Sequence, residues 1–189
     1  GDIDDRASLQ SQATTKVVGL TNSILPISVG SLSSSVSSKV VNGQITATTS
    51  IELTDVDVLG MLQFSRVTAG STAALGGVPG SSSFRQDQCA MTKARVAGHA
   101  VSIEADGVRV TAAGSGDVSV RSAQLEVDKL LGTLGVKVRP GKTSSPEVSP
   151  EGTSFSSTID CVEISWSSPV SGSRARVVVG QNVLKLSAS

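Results

Sequence analysis

A single histidine has the clearest potential for acid–base or nucleophilic catalysis. His99 lies between Gly98 and Ala100, and the many serines and several aspartates make a Ser-His-Asp triad formally available. No Gly-x-Ser-x-Gly elbow stands between a strand and a helix, however. Because serine is so abundant, chance pairings are expected. We therefore interpret His99 as a turn residue and predict that the protein is not an enzyme.

Two aspartates are the weak candidates for a metal site. Asp55 and Asp57 flank Val56, and this alternation places both carboxylates on one strand face, where other oxygens could complete a calcium shell. The pair lacks the spacing of an EF-hand loop. A solvated strand face is the alternative interpretation, and we predict no metal and no cofactor.

Further carboxylates could pair for glycoside hydrolysis, which uses two Asp or Glu side chains. They are Glu104, Asp106, Glu126, Asp128 and Glu163. Sugar sites usually also present aromatic platforms, but aromatic residues are only 2% of this chain. Trp166 is interpreted as a core residue on the face that carries Val162 and Ile164. The sequence therefore indicates no glycosidase site.

The two cysteines, Cys89 and Cys161, are predicted to form a disulfide. They have neither CxxC spacing nor a neighbouring histidine, so they do not fit a metal site. A disulfide that closes this loop would stabilise the fold by about 4 kcal/mol in the chain-entropy model. Two buried free thiols are the alternative, which a cytosolic location would favour.

The composition excludes several classes of protein. The 189 residues include 16 basic and 16 acidic side chains, so the chain lacks the positive charge that nucleic-acid binding requires. No run approaches the about 20 apolar residues of a membrane span. Charged residues are only 17% of the chain, whereas Ser and Thr make up about a quarter of it. This composition suits a secreted or cell-surface location.

Alternating apolar and polar residues predict β-strands along most of the chain. Residues 44–53 alternate most clearly, and after Asp55 the apolar phase moves by one residue to Val56 and Val58. Such a shift predicts a bulge or a turn. Further runs are 101–103, 108–110, 118–120, 162–166 and 175–179. The predicted fold class is all-β, an antiparallel sandwich or a barrel-like sheet.

Three segments depart from this strand pattern. At most one short helix is expected near residues 125–134, with Asp128 as a possible cap and an end at Gly132 or Gly135. Residues 139–153 are rich in Pro and Ser and are predicted to form a long loop. Residues 1–12 are expected to be weakly structured, and residues 14–18 and 24–29 could form strands. Because the cysteines flank the loop, we predict one β domain over residues 1–189.

Several stretches of small and branched residues follow a recognisable order. Residues 45–51 lead into Val58-Leu59-Gly60-Met61-Leu62 and then 65–69, and the stretches 94–101, 162–164 and 177–183 come later. This order resembles exported actinobacterial surface proteins of the choice-of-anchor type, although Met61 stands where that family usually has a second glycine. The resemblance implies a secreted, cell-surface protein with no known catalytic residues.

The leading hypothesis is a self-assembling structural subunit of an extracellular filament, sheath or surface layer. Hydroxyls on the outer strand faces leave little charge to repel another copy. Expected partners are copies of the chain itself, with cell-envelope components as further candidates, but neither nucleic acid nor a membrane span. One alternative is an adhesin-like module that binds polysaccharide or protein, favoured by a concave surface lined by Trp166. The third is a hydrolase, which requires His99 beside a serine and an aspartate.

Overall fold

The computed structural model describes residues 10–13, 27–41, 43–111, 117–168 and 172–187. Its elements, in chain order, are β1 (Gln10–Ala13), β2 (Ile27–Val41), β3 (Gln44–Val58), β4 (Leu62–Leu75), β5 (Ser83–Thr92), β6 (Arg95–Val96), β7 (His99–Glu104), β8 (Gly107–Val110), α1 (Asp117–Leu134), β9 (Val136–Pro140), β10 (Glu147–Val148), β11 (Ser154–Ser167) and β12 (Arg174–Ser187). Strands dominate these ranges, so the predicted all-β class is confirmed.

Antiparallel pairing arranges the strands in two sheets. The larger sheet has the order β2-β3-β4-β6-β7-β8. β5 also belongs to it, because β5 and β6 both pair with β4 on the side that does not pair with β3. The smaller sheet has the order β1-β12-β11-β10, with β9 also paired to β11. β12 packs across β3 and β4, while β11 packs across β4 and β5. The two sheets therefore face each other as a sandwich.

The inner faces of the sheets form the hydrophobic core. The alternating residues of β3 are buried as predicted: Ile45, Ala47, Ile51 and Leu53. These four residues belong to two separate hydrophobic clusters. Leu53 packs in the larger cluster, together with Phe64 and Ile164. The smaller cluster lies at the β2–β3 hairpin end and comprises Ile45, Ala47, Ala73, Leu75, Phe155, Leu184 and Leu186.

The apolar phase of the larger sheet changes at Asp55, as the sequence predicts. Asp55 has a positive φ of 50°, and burial resumes one position later, at Val56. The pairs on both sides keep one register, so no residue is inserted as in a bulge. Gly30 lies beside it in β2, where a Cβ atom would be 2.9 Å from the Asp55 Cβ. We call this change of phase, which lies where Gly30 of β2 stands opposite Asp55 of β3, the Asp55 kink.

The helix is longer than the sequence analysis predicts. α1 begins at Asp117, so residues 118–120, interpreted as a strand, are helical; three residues are too few to separate a period of two from a helix. Asp128 does not cap the helix but lies inside it, where it accepts a hydrogen bond from Gln124 Nε2 at 2.8 Å. The predicted end is confirmed, because Gly135 follows Leu134 with the φ of 66° that terminates helices. No helix among the described residues is long and apolar enough to cross a membrane.

The predicted loop 139–153 makes more strand contacts than expected. Its first residues belong to β9, Glu147–Val148 forms β10, and Thr143 makes an isolated bridge to Ile159. Each of these contacts attaches the segment to β11. The predicted strand 24–29 overlaps the start of β2 at residues 27–29. Residues 1–9 and the predicted strand 14–18 lie outside the described residues.

Candidate functional site

The ring of His99 faces the helix. His99 is the first residue of β7, one position after the turn in which we placed it, and its Nε2 lies 3.3 Å from Glu126 Oε2. The side chain of Glu126 is largely exposed, so this pair is open to solvent. The hydrolase hypothesis requires a serine and an aspartate beside the His99 ring. The hydrogen-bond partner that the structure gives this ring is instead Glu126. The contact links α1 to the larger sheet.

Asp55 and Asp57 share a surface cleft near the β3–β4 turn. Asp57 accepts hydrogen bonds through both carboxylate oxygens, from the Gly60 backbone N–H at 2.7 Å and from Gln63 Nε2 at 2.9 Å. Lys93 and Arg95 also line the cleft, and their positive charges oppose a bound cation. Within the described ranges, no three His, Cys, Asp or Glu side chains gather as metal ligands. The contacts of Asp57 stabilise the turn.

Three of the remaining carboxylates are held by arginines. Arg109 contacts Glu104 at 2.7 Å and Asp106 at 2.9 Å. Arg176 NH2 donates to Glu163 Oε2 at 2.7 Å. This hydrogen bond is the main reason that the pKa of Glu163 lies below its ordinary value. The pKa of Asp106 is lowered in the same way by Arg109.

The predicted disulfide is confirmed and joins the two sheets. Cys89 in β5 and Cys161 in β11 have Cα atoms 5.2 Å apart. A β-bulge in β5 orients the first cysteine, because the β4–β5 register shifts between Thr68 and Gly70. Bulges redirect the side chains that follow them, and here the shift brings an odd-numbered residue of β5 to the inner face. Local sequence patterns predicted the pairing but not this bulge.

A layer of buried polar side chains separates the two hydrophobic clusters. Thr49 Oγ1 donates to Asn182 Oδ1 at 2.9 Å, and Ser71 Oγ donates to the same oxygen at 3.4 Å. Ser157 is also buried, and its hydroxyl has no hydrogen-bond partner among the described residues. All four residues are at most 2% exposed. The layer therefore fixes one sheet against the other and offers no accessible site.

The most accessible feature is the unpaired side of β2. The strand pairs with β3 along its length, from Ile27–Val58 to Val41–Gln44. No strand among the described residues pairs with its other side. Such a strand presents a row of free backbone N–H and C=O groups. We call residues 31–41, which run from the Asp55 kink to the hairpin, the open edge.

Three apolar side chains of the open edge belong to the inner face of the sheet but remain exposed. Leu32, Val36 and Val40 are 48%, 42% and 59% exposed. Their cross-strand partners are the buried residues Leu53, Thr49 and Ile45. Directly opposite residues lie on the same face of a sheet. The smaller sheet packs mainly across β3 and β4 and meets β2 through β1, which leaves these three side chains exposed. We call these three residues the inner row.

The outer face of the open edge is a surface of hydroxyl groups. Ser31 pairs its hydroxyl with Thr54 at 2.7 Å, and Ser35 does so with Ser50 at 2.7 Å. Lys39 is the only charged residue between positions 31 and 41. This stretch was not predicted as a site from the sequence, although the even spacing of Leu32, Val36 and Val40 is a readable signal.

The opposite edge of the larger sheet is protected. Gln124 of α1 accepts a hydrogen bond from the Val110 backbone N–H at 2.8 Å and donates one to the Val108 carbonyl oxygen at 3.0 Å. One side chain thus satisfies backbone groups of β8 that a further strand would otherwise pair with. Natural sheets commonly protect their edges in this way. Within the described residues the β8 edge of this sheet is therefore protected by a side chain, whereas β2 and β5 each have one side without a strand partner.

A second accessible feature is a cleft of about 740 Å³ between α1, β8 and β9. Its charged lining residues are Arg109, Arg121, Lys137, Arg139, Asp106 and Asp128. Cations outnumber carboxylates, so the field in the cleft favours an anion. Trp166 is not among the residues that line this cleft, and it packs against the larger hydrophobic cluster instead.

Comparisons with known proteins add no family to this description. No protein-family model matches the chain. Neither a curated protein nor a solved structure is similar enough to count as a match. The resemblance to choice-of-anchor surface proteins therefore stays a prediction. The fold and the open edge define the protein, at this level, as a disulfide-linked two-sheet β protein in which β2 is an edge strand of the described residues.

Proposed function

We propose that the protein is an extracellular structural subunit that assembles with copies of itself through the open edge. The observation that carries this proposal is a long edge strand that is exposed on both faces and unpaired among the described residues. A further strand added there would satisfy the free backbone groups and continue the sheet. The filament, sheath or surface layer expected from the sequence would combine this contact with at least one other.

The chemistry of the open edge supports a neighbour of the same composition. Edge strands that must stay single usually carry several charges or a proline, whereas residues 31–41 carry Lys39 alone and no proline. The hydroxyl pairs of Ser31 and Ser35 with β3 show how a serine-rich neighbour would be received on the outer face. The β8 edge of the same sheet differs from the open edge, because Gln124 occupies its backbone groups.

The extracellular location is supported by the Cys89–Cys161 disulfide. Disulfides persist in oxidising compartments and are rare in the cytosol of mesophiles. The low charge and the hydroxyl content of the sequence are consistent with export. Release of the intact protein into the medium of the source cells, with the disulfide formed, would test this part of the proposal.

Sedimentation velocity over a wide range of concentrations tests the assembly. We expect a mass that increases with concentration, and electron microscopy should show ordered assemblies at the upper end. Val36→Lys should raise the dissociation constant at least about tenfold, which requires only about 1.4 kcal/mol, because a second strand would have to desolvate the ammonium group. Ser122→Lys adds the same charge on the exposed side of α1 and is the matched control.

The two variants separate a specific contact from general charge repulsion. If both weaken assembly equally, the open edge is not the contact. If the unmodified protein sediments as a monomer at every concentration, the assembly proposal is wrong. Circular dichroism should give the same folded spectrum for both variants, because both positions are exposed.

The cleft beside α1 favours a second candidate function, an adhesin-like module for an acidic polysaccharide. Its four cations and its concave shape are the supporting observations. Binding to an immobilised sulfated or uronic-acid polysaccharide should weaken as salt rises. Lys137→Ala with Arg139→Ala should reduce it more than Arg95→Ala, which removes a cation from a different cleft. Equal loss in both would reject the cleft as the site.

A further inference from the structure

We propose that two copies pair β2 with β2 in antiparallel orientation, around a two-fold axis that passes through Val36. This inference rests on the proposed function, because it specifies the contact through which copies meet. The two-fold axis would be perpendicular to the sheet, so the seven-stranded sheets of both copies would form one continuous sheet. The contact uses the same surface on both copies and closes as a dimer, so larger assemblies require a second contact.

The inner row selects the register. With Val36 opposite its own copy, Leu32 lies opposite Val40 of the other copy, and the three exposed apolar residues of each chain form one row. Directly opposite residues share a face, so all six side chains come together. A shift by two residues in either direction removes every one of these apolar pairs, and Val36 then faces a serine. This register therefore buries the most apolar surface.

The charge and the outer face agree with this register. Lys39 lies opposite Ser33 of the other copy, and the two lysines are about 20 Å apart at about 3.4 Å per residue. This separation exceeds the screening length of about 8 Å at physiological salt. On the outer face Ser35 lies opposite Ser37, which repeats the hydroxyl pairing of Ser35 with Ser50 within one chain.

The shape of β2 supplies an independent argument. The open edge begins after Gly30, where the close approach to Asp55 marks the kink, and it ends at Val41 beside the hairpin. Val36 is the midpoint of this segment. Pairing around Val36 therefore places residue 31 of each copy opposite residue 41 of the other copy. The paired segment then ends at the Asp55 kink of both copies. A single strand pair buries less than a standard interface of about 1,600 Å², so the dimer should dissociate on dilution.

Single-cysteine cross-linking tests the register. The only two cysteines of the chain are joined to each other, so one introduced cysteine is the sole free thiol. A short bis-maleimide should cross-link Val36→Cys with itself. Leu32→Cys and Val40→Cys should cross-link poorly alone but at least several-fold better when mixed. Ser122→Cys, on α1, is the control that should not cross-link.

Sedimentation of the same samples shows whether a negative cross-linking result reflects a wrong register or a failure to assemble. If the protein assembles but the mixture of Leu32→Cys and Val40→Cys gives no gain, the register is wrong while the proposed function stands. If the protein remains monomeric, both proposals are wrong. Should Val36→Cys itself prevent assembly, Ser34→Cys mixed with Ser38→Cys replaces it, because these positions are opposite each other in the same register.

Discussion

Thr49 Oγ1 donates a hydrogen bond of 2.9 Å to Asn182 Oδ1 across the interior of the sandwich. The two residues are 133 positions apart in sequence and are both almost completely buried. A buried hydrogen bond between sheets aligns them, because a sliding motion would leave both groups without partners. The bond therefore contributes to the alignment of β3 in the larger sheet with β12 in the smaller sheet.

Replacement of Asn182 by leucine should destabilise the protein by about 1–3 kcal/mol, because the Thr49 and Ser71 hydroxyls would lose their common acceptor. The double variant Thr49→Val/Asn182→Leu should recover part of this loss, since it removes both ends of the bond. Urea unfolding of the two single variants and the double variant measures the coupling. Additive losses would show that the bond contributes nothing.

Replacement of Ser157 by alanine should leave stability unchanged or raise it by up to about 1 kcal/mol. The buried Ser157 hydroxyl has no partner within the part of the chain that the structure describes, and an unsatisfied hydroxyl is costly to bury. Ser71→Ala is the matched control, because that hydroxyl donates to Asn182, and it should destabilise. Thermal unfolding compares the two variants. A clear loss in Ser157→Ala would mean that its hydroxyl has a partner after all.

Loss of the disulfide should lower the free energy of unfolding by about 4 kcal/mol, since it closes a loop with a sequence separation of 72. The double variant Cys89→Ala/Cys161→Ala and the reduced protein should show similar decreases in unfolding midpoint. The double variant should also become insensitive to reductant, which serves as the control. Equal stability with and without the bond would contradict the prediction.

The Glu163–Arg176 pair should make a small, pH-dependent contribution to stability. Arg176 holds the pKa of Glu163 below the ordinary value of 4.5. A carboxyl with a lowered pKa stabilises the fold above its unfolded-state pKa, and this contribution is lost as the pH falls through the folded-state pKa. Glu163→Gln should therefore cost about 0.5 kcal/mol near neutral pH, and the difference should vanish once the pH has fallen below the folded-state pKa of Glu163. Unfolding curves across this range, with Arg176→Gln alongside, test the sign.

Gln124 should control hydrogen exchange at the edge of β8. Gln124→Ala removes the acceptor of the Val110 N–H, so this amide should exchange about tenfold faster, as expected for a loss of about 1.4 kcal/mol. Gln124→Glu retains an acceptor oxygen and should keep most of the protection. Exchange measured by NMR distinguishes the two variants. If Val110 exchanges equally in both, the side chain does not protect this edge.

Local patterns were sufficient for much of the fold. The alternation in residues 44–53 predicted which side chains of β3 are buried, and the change of phase after Asp55 predicted an irregularity there. The helix end at Gly135 and the pairing of Cys89 with Cys161 also followed from residue types. These features depend on neighbouring residues or on chain chemistry, so a single sequence contains them.

The helix start was predicted less well. Val118-Ser119-Val120 fits a strand and a helix equally, and the contact of Gln124 with β8 that holds this part of α1 against the sheet is not a local pattern. The same reason explains why the bulge before Cys89 and the partner of His99 were not predicted.

The sequence by itself determined the class of the fold, the buried face of β3 and the weakly charged, hydroxyl-rich surface, because periodicity and composition act residue by residue. Only the tertiary structure decided which edge of the larger sheet is covered and which is open. Leu32, Val36 and Val40 follow the same alternation as buried residues, and they are exposed because the smaller sheet packs mainly across β3 and β4 and covers these three positions of β2 incompletely. Coverage depends on how two sheets pack together, and no local pattern encodes that geometry.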